Sequence, residues 1–192
     1  MVSDLRSKRR IVIVGAGSGL GRRLCQAYAD DAHDIVAVDL AGSLADAAAA
    51  CGTAPIDMLI FADDLDLNAP ISTAERLEMR DALYRLTYAP FKLASLLRST
   101  LAAAKGSVVL YSRAAAVMAR QPDGGRPMDR PFRAAAHALW KCLEIEWRED
   151  GIRLQIVALG EPGDAADIVT DVHGSTGTAA LLVEGRGLPL PW

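Results

Sequence analysis

Residues 11–21 read Ile-Val-Ile-Val-Gly-Ala-Gly-Ser-Gly-Leu-Gly, and their types and spacing suit the holding of a phosphate. Glycine tolerates positive φ and has no Cβ, so a backbone built on Gly15, Gly17, Gly19 and Gly21 can turn tightly and touch a ligand. Beyond the turn, Leu20, Leu24 and Tyr28 recur every four residues and mark one face of a helix. The amides at the start of such a helix form an anion seat. A second apolar run, residues 35–38, ends at Asp39. A carboxylate there can accept a hydrogen bond from a ribose 2′-hydroxyl and repels a 2′-phosphate. The chemistry these residues could do is the binding of a nucleotide, NAD in preference to NADP.

Such groups need a scaffold, and the rest of the chain supplies its signals. Residues 11–14 form a continuous apolar run, as in a strand buried on both faces of a parallel sheet. Further strands are predicted at 35–38, 58–61, 108–111, 152–159 and 180–183. Helices are predicted at 44–50, broken by Gly52 and Pro55, at 74–98, and at 132–148, ended by Gly151. Pro90 lies inside the second of these and should kink or interrupt it. Trp140 and Trp147 are seven apart on one helix face and should bury against a neighbour, in this subunit or another. Alternating strands and helices imply an α/β fold with a parallel sheet and right-handed crossovers. No internal repeat or domain boundary stands out. Residues 1–192 read as a single domain, with 1–9 a flexible lead-in and the glycine-, proline- and arginine-rich stretch 113–131 a mobile loop.

Composition narrows the function classes. A net charge of −3 and a pI near 5.6 argue against nucleic acid or an anionic membrane surface as the main partner. No stretch approaches the ~18 apolar residues of a membrane span. The polar start lacks a secretory signal, and the expected compartment is the cytoplasm. Cys25, Cys51 and Cys142 are scattered and odd in number, which suits reduced, buried thiols. His33, His137 and His173 lack ligand spacing, so no metal site is expected.

Taken together, Gly15-x-x-x-Gly19-x-Gly21, Asp39, the strand opening Asp57-Met-Leu-Ile, the segment Gly106-Ser-Val-Val-Leu-Tyr-Ser112, and Glu146 followed by Gly151-Ile-Arg-Leu resemble the short-chain dehydrogenase/reductase family. The resemblance runs from Arg10 to about Gly160 and resumes weakly at Thr176-Gly177 and Val183-Glu-Gly185. It implies a Rossmann-like, doubly wound parallel sheet. Only 18 residues separate Asp39 from Met58. The family's third strand and following helix are therefore missing or much reduced, leaving about six strands and no adenine wall. The family's turn after its fourth strand reads Phe61-Ala62-Asp63-Asp64 here, and its proline-glycine reads Leu159-Gly160.

The catalytic positions depart further. Ser112 lies in the family's serine region, and the second serine position is Arg113. Counting back from Glu146 puts Asp129 at the tyrosine and Arg133 at the lysine; placing Phe132 at the tyrosine puts Ala136 at the lysine. Leu86 stands near the family's asparagine. Tyr88 and Lys92 match the tyrosine–lysine spacing but lie on an earlier helix, where Tyr84, Tyr88 and Lys92 share a face suited to an interface or core. Ser112 and Asp129 are the candidate catalytic residues, and the ordinary reading of Asp129 with Arg133 is a solvated pair at a helix start. The resemblance with these losses implies a non-catalytic binding or partner subunit, a homo-oligomer or one paired with a family homologue, its NAD binding weak or lost. The alternatives are non-redox chemistry (dehydration, cyclisation or isomerisation) and an NAD-dependent oxidoreductase with a displaced acid.

Overall fold

The computed structural model describes residues 8–40, 42–62, 65, 67, 70–113, 116, 128–159 and 182–184, and of residues 71 and 182–184 the backbone alone. Among the described residues six strands form one sheet: β1 (Arg10–Val14), β2 (Asp34–Val38), β3 (Met58–Phe61), β4 (Ser107–Arg113), β5 (Arg153–Leu159) and β6 (Leu182–Glu184). Their order is β2-β1-β3-β4-β5-β6 and every pairing is parallel. From β1 the chain steps to β2 on one side and then returns past β1 to β3 on the other. The carboxyl ends of β1 and β3 therefore face a topological switch point, where an open α/β sheet accepts a ligand.

Helices cover both faces, as a doubly wound sheet requires. Helix α1 (Gly19–Asp30) packs Leu20, Leu24 and Tyr28 against Ile11, Ile13, Ile60 and Val109. On the other face α2 (Leu44–Cys51), α4 (Ala89–Leu96) and α6 (Arg130–Trp147) close over Val12, Leu59, Phe61, Val108 and Ile156. Strand residues alternate between these two cores, which is why β1, β3 and β4 read as unbroken apolar runs. Trp140 and Trp147 belong to the second core of this same subunit, Trp140 meeting Phe61 edge-on at 5.9 Å.

Among the described residues, the short stretch after Asp39 holds one helix, α2, capped by Ser43 and stopped at Gly52, and no strand. The missing strand–helix unit is thus a real feature, and β2 is left at the sheet edge with most of its side chains only half-buried. The helix expected over 74–98 is split. Helix α3 (Arg76–Leu83) runs into a π-helical turn, Tyr84–Tyr88, then α4, and after Leu97 a further helix, α5 (Arg98–Ala104). The Ala89 N–H bonds to the Tyr84 carbonyl. Pro90, at the start of α4, has no N–H to give, so the change of hydrogen-bond register falls just before it, where it costs least.

Some expectations need correction. Arg113 belongs to β4, residues 130 and 131 to α6, and Met128 and Asp129 are buried. Apart from Ala116, the stretch 114–127 lies outside the described residues, as do residues 1–7, Asp63, Asp64, Gly160 and residues 176–177. The thiols are not uniformly buried: Cys51 is, Cys25 is half-buried and Cys142 is exposed. Among the described residues no helix is long and apolar enough to cross a membrane.

Candidate functional site

The glycine turn is assembled from backbone requirements. Gly15 adopts φ of +83°, which leads the chain out of β1 while its N–H donates to the Val38 carbonyl at 2.8 Å. Ser18 caps α1: its Oγ accepts from the Gly21 N–H at 2.8 Å and donates to the Ala62 carbonyl at 2.6 Å. The hydroxyl so latches the start of α1 to the end of β3. Gly21 faces back onto the turn, where a Cβ would lie 2.1 Å from the Gly15 carbonyl oxygen. Gly19 opens α1, and Arg22 reaches back to the Gly17 carbonyl. The Gly17 N–H donates to Asp39 Oδ1 at 3.0 Å, so one oxygen of this exposed carboxylate already rests on the turn.

Over the switch point lies a cleft of about 350 Å³. Its floor is Val14, Phe61 and Leu110 from three neighbouring strands. Gly15, Ser18 and Asp39 line the β1–β2 end, and Arg85, Leu86, Pro90 and Arg133 stand over the β4 side. Leu86, where the resemblance leads one to look for an asparagine, is buried and apolar. It comes from the π-helical turn, whose Thr87 Oγ1 donates to the Phe132 carbonyl at 2.7 Å and ties the turn to α6.

The pair Asp129 and Arg133 is not solvated. Asp129 is 1% exposed and Arg133 4%. Asp129 Oδ1 accepts from Arg133 Nε at 2.8 Å, and Oδ2 lies 3.5 Å from Arg113 Nε. Arg133 Nη2 donates to the Leu65 carbonyl at 2.8 Å. Packing of the first turns of α6 takes these groups out of water, and burial on that scale is tolerable only because opposite charges meet. By the ungapped count, the positions of the family's tyrosine and lysine hold an aspartate and an arginine bonded to each other.

Ser112, the other candidate, is 3% exposed, and its Oγ lies 2.7 Å from His137 Nε2. Burial, followed by the positive charges of Arg133 and Lys141, pushes the His137 pKa down to about 4. The ring is therefore neutral at physiological pH. Ser112 and Asp129 are both near the end of β4, but neither lines the cleft; Arg133 does. Tyr111 is no displaced tyrosine on α6. Its ring packs in the α1 core, on the opposite face of the sheet from Trp140 and Ala136, and burial pushes its phenol pKa up, keeping the proton on. Sequence reading missed His137. Its signal was spacing: residues 129, 133 and 137 recur every fourth position and share a helix face.

The two sides of the site thus differ in what they fit. The glycine turn and Asp39 suit a phosphate-linked ribose. On the β4–α6 side, the described residues that line the cleft include Tyr111 and no lysine. Among the described residues, no three His, Cys, Asp or Glu side chains gather as metal ligands.

No family model and no curated protein sequence matches the chain. Solved structures do. A carbonyl reductase from Pseudomonas aeruginosa PAO1 superposes with a TM-score of 0.79 at 21% identity, covering 96% of this chain and 100% of that one. A short-chain dehydrogenase/reductase family oxidoreductase from Brucella ovis, in complex with a partially ordered NAD, gives 0.78 at 17% identity over 92% and 99% of the two chains. An NADPH-bound carbonyl reductase from chicken fatty liver gives 0.78 at 17% identity over 96% and 94%. With the sheet order and the glycine turn, these likenesses show that the chain has the fold of the short-chain dehydrogenases and reductases.

Proposed function

We propose that this protein is a non-catalytic, nucleotide-binding subunit built on the short-chain dehydrogenase/reductase scaffold and acting in the cytoplasm. One observation carries the reading: Asp129 is buried between Arg133 and Arg113. In ordinary carbonyl reduction a tyrosine hydroxyl passes the proton and a lysine tunes it. By the ungapped count that place falls to a carboxylate, hydrogen-bonded by Arg133 and ion-paired with Arg113, behind the cleft wall. Bound NAD would supply hydride chemistry. Gly15, Gly17, Gly19 and Gly21 would hold its pyrophosphate, and Asp39 its ribose. One Asp39 oxygen already accepts from Gly17, and among the described residues no strand lies beyond β2 to wall the adenine, so the binding is weak.

The subunit works as a pair, with a second copy or a homologous chain. The Tyr84 and Tyr88 rings lie 5.8 Å apart, tilted by 34°, and are 39% and 46% exposed, and Leu77 and Leu83 on the preceding turns are exposed as well. Apolar side chains grouped in this way favour a protein partner. Titrating NAD and NADP by calorimetry, with a turnover assay on aldehydes and ketones in parallel, tests the reading. Weak NAD binding without turnover supports it; nicotinamide-dependent turnover contradicts it.

The Ser112–His137 bond favours a second reading, non-redox acid–base chemistry, because a neutral imidazole against a hydroxyl is the usual pairing for moving a proton. A reaction that needs no nicotinamide and disappears in both Ser112→Ala and His137→Gln would replace the first reading with this one.

A further inference from the structure

We infer that the cleft is built for a nucleotide whose far end carries an anion, such as a carboxylate, and that Arg85 with Arg133 recognises it. The inference rests on the nucleotide reading above and names the ligand class that reading leaves open. Three charged side chains line the cleft among the described residues: Asp39 at the β1–β2 end, and Arg85 and Arg133 on the β4 side. A ligand that lays its ribose against Asp39 and its phosphate on Gly15 and Ser18 extends over the apolar floor toward the two guanidiniums.

Both arginines are delivered there by specific structure. Arg85 lies on the π-helical turn, and such turns often mark functional positions because the added residue re-aims the side chains around it. The same turn puts Leu86 in the cleft wall while Tyr84 and Tyr88 remain outside. Arg133 is buried and fixed through Nε to Asp129 and through Nη2 to the Leu65 carbonyl. Nη1 takes part in neither bond. A guanidinium held this way meets an anion with little loss of side-chain freedom. An oxidised nicotinamide ring carries a positive charge and gains nothing from two such neighbours; a carboxylate gains charge-assisted hydrogen bonds.

A matched pair of probes tests this. NAD and its deamidated form, nicotinic acid adenine dinucleotide, differ by a carboxamide against a carboxylate. Both are titrated calorimetrically into the full-length protein, with ADP-ribose as a third probe that lacks the ring. The carboxylate form should bind about tenfold tighter than NAD, the scale of one hydrogen bond to a charged group. Arg85→Gln should abolish that preference while leaving ADP-ribose affinity within about twofold; Arg85→Lys should keep part of it, and thermal melts check that both variants fold. Equal affinities, a preference for NAD, or a carboxylate preference unchanged in Arg85→Gln overturns the inference and leaves the nucleotide reading standing. If none of the three probes binds, both fall.

Discussion

At the β1–β2 end of the cleft, the polar groups are shallow and partly open. Asp39 is exposed, with one oxygen on the Gly17 N–H, and Ser18 lines the cleft while capping α1. At the β4–α6 end, Asp129, Ser112 and His137 are nearly sealed from water, and each is bonded to another side chain. The first arrangement leaves hydrogen-bonding capacity for a ligand. The second uses most of it within the protein, Asp129 Oδ2 being left with the Arg113 ion pair alone. The two ends of the cleft can therefore vary independently on one fold, because they depend on different strands and different helices.

Perturbing each end should separate them. Removing Asp129 is the largest change: Asp129→Ala leaves Arg133 buried without its anion and should lower stability by about 3–5 kcal/mol in denaturant unfolding. A loss below about 0.5 kcal/mol would mean the pair is solvated and the contrast false.

His137 should make the same end acid-sensitive. The folded protein keeps this ring neutral down to about pH 4, whereas the unfolded chain takes a proton below about pH 6.5. Between those values the unfolded state binds more protons, so stability falls as pH falls, by on the order of 3 kcal/mol once pH 4 is reached. In His137→Gln this portion of the pH dependence should vanish, and a profile identical to the parent's would refute the assignment.

The glycine end should fail by collision. Gly21→Ala sets a Cβ against the Gly15 carbonyl, and backbone cannot yield as a flexible side chain does. The expected cost is about 1–3 kcal/mol, with loss of nucleotide binding. Ser18→Ala removes the cap and the latch to Ala62 and should cost about 1 kcal/mol. Binding that survives Gly21→Ala unaltered would place the ligand elsewhere.

What could be read without coordinates follows the same division. The turn from β1 to α1 was legible because a buried parallel strand must be wholly apolar and a tight turn needs glycine; both are local rules. The absent strand after Asp39 was legible as a distance, since 18 residues leave no room for a strand, a helix and their turns. Pro90 announced a break, yet the π-helical register of Tyr84–Tyr88 depends on how α3 and α4 pack and has no local signature. The burial of Asp129 and Arg133 was hidden for the same reason. An acid and a base four apart at a helix start look alike whether they face water or β4, and only the docking of α6 decides. His137 was passed over because a lone histidine shows nothing until its neighbour, Ser112, arrives from a strand 25 residues away.

The central claim is that the cleft holds a nucleotide without reducing carbonyls. It is tested most directly by loading the protein with NADH and following the bound cofactor's absorbance after mixing with a panel of aldehydes and ketones. The account predicts that NADH binds and stays reduced at the rate of the protein-free control. Oxidation in proportion to bound protein, retained in Ser112→Ala and lost in Asp129→Asn, would contradict it and make Asp129 the proton donor.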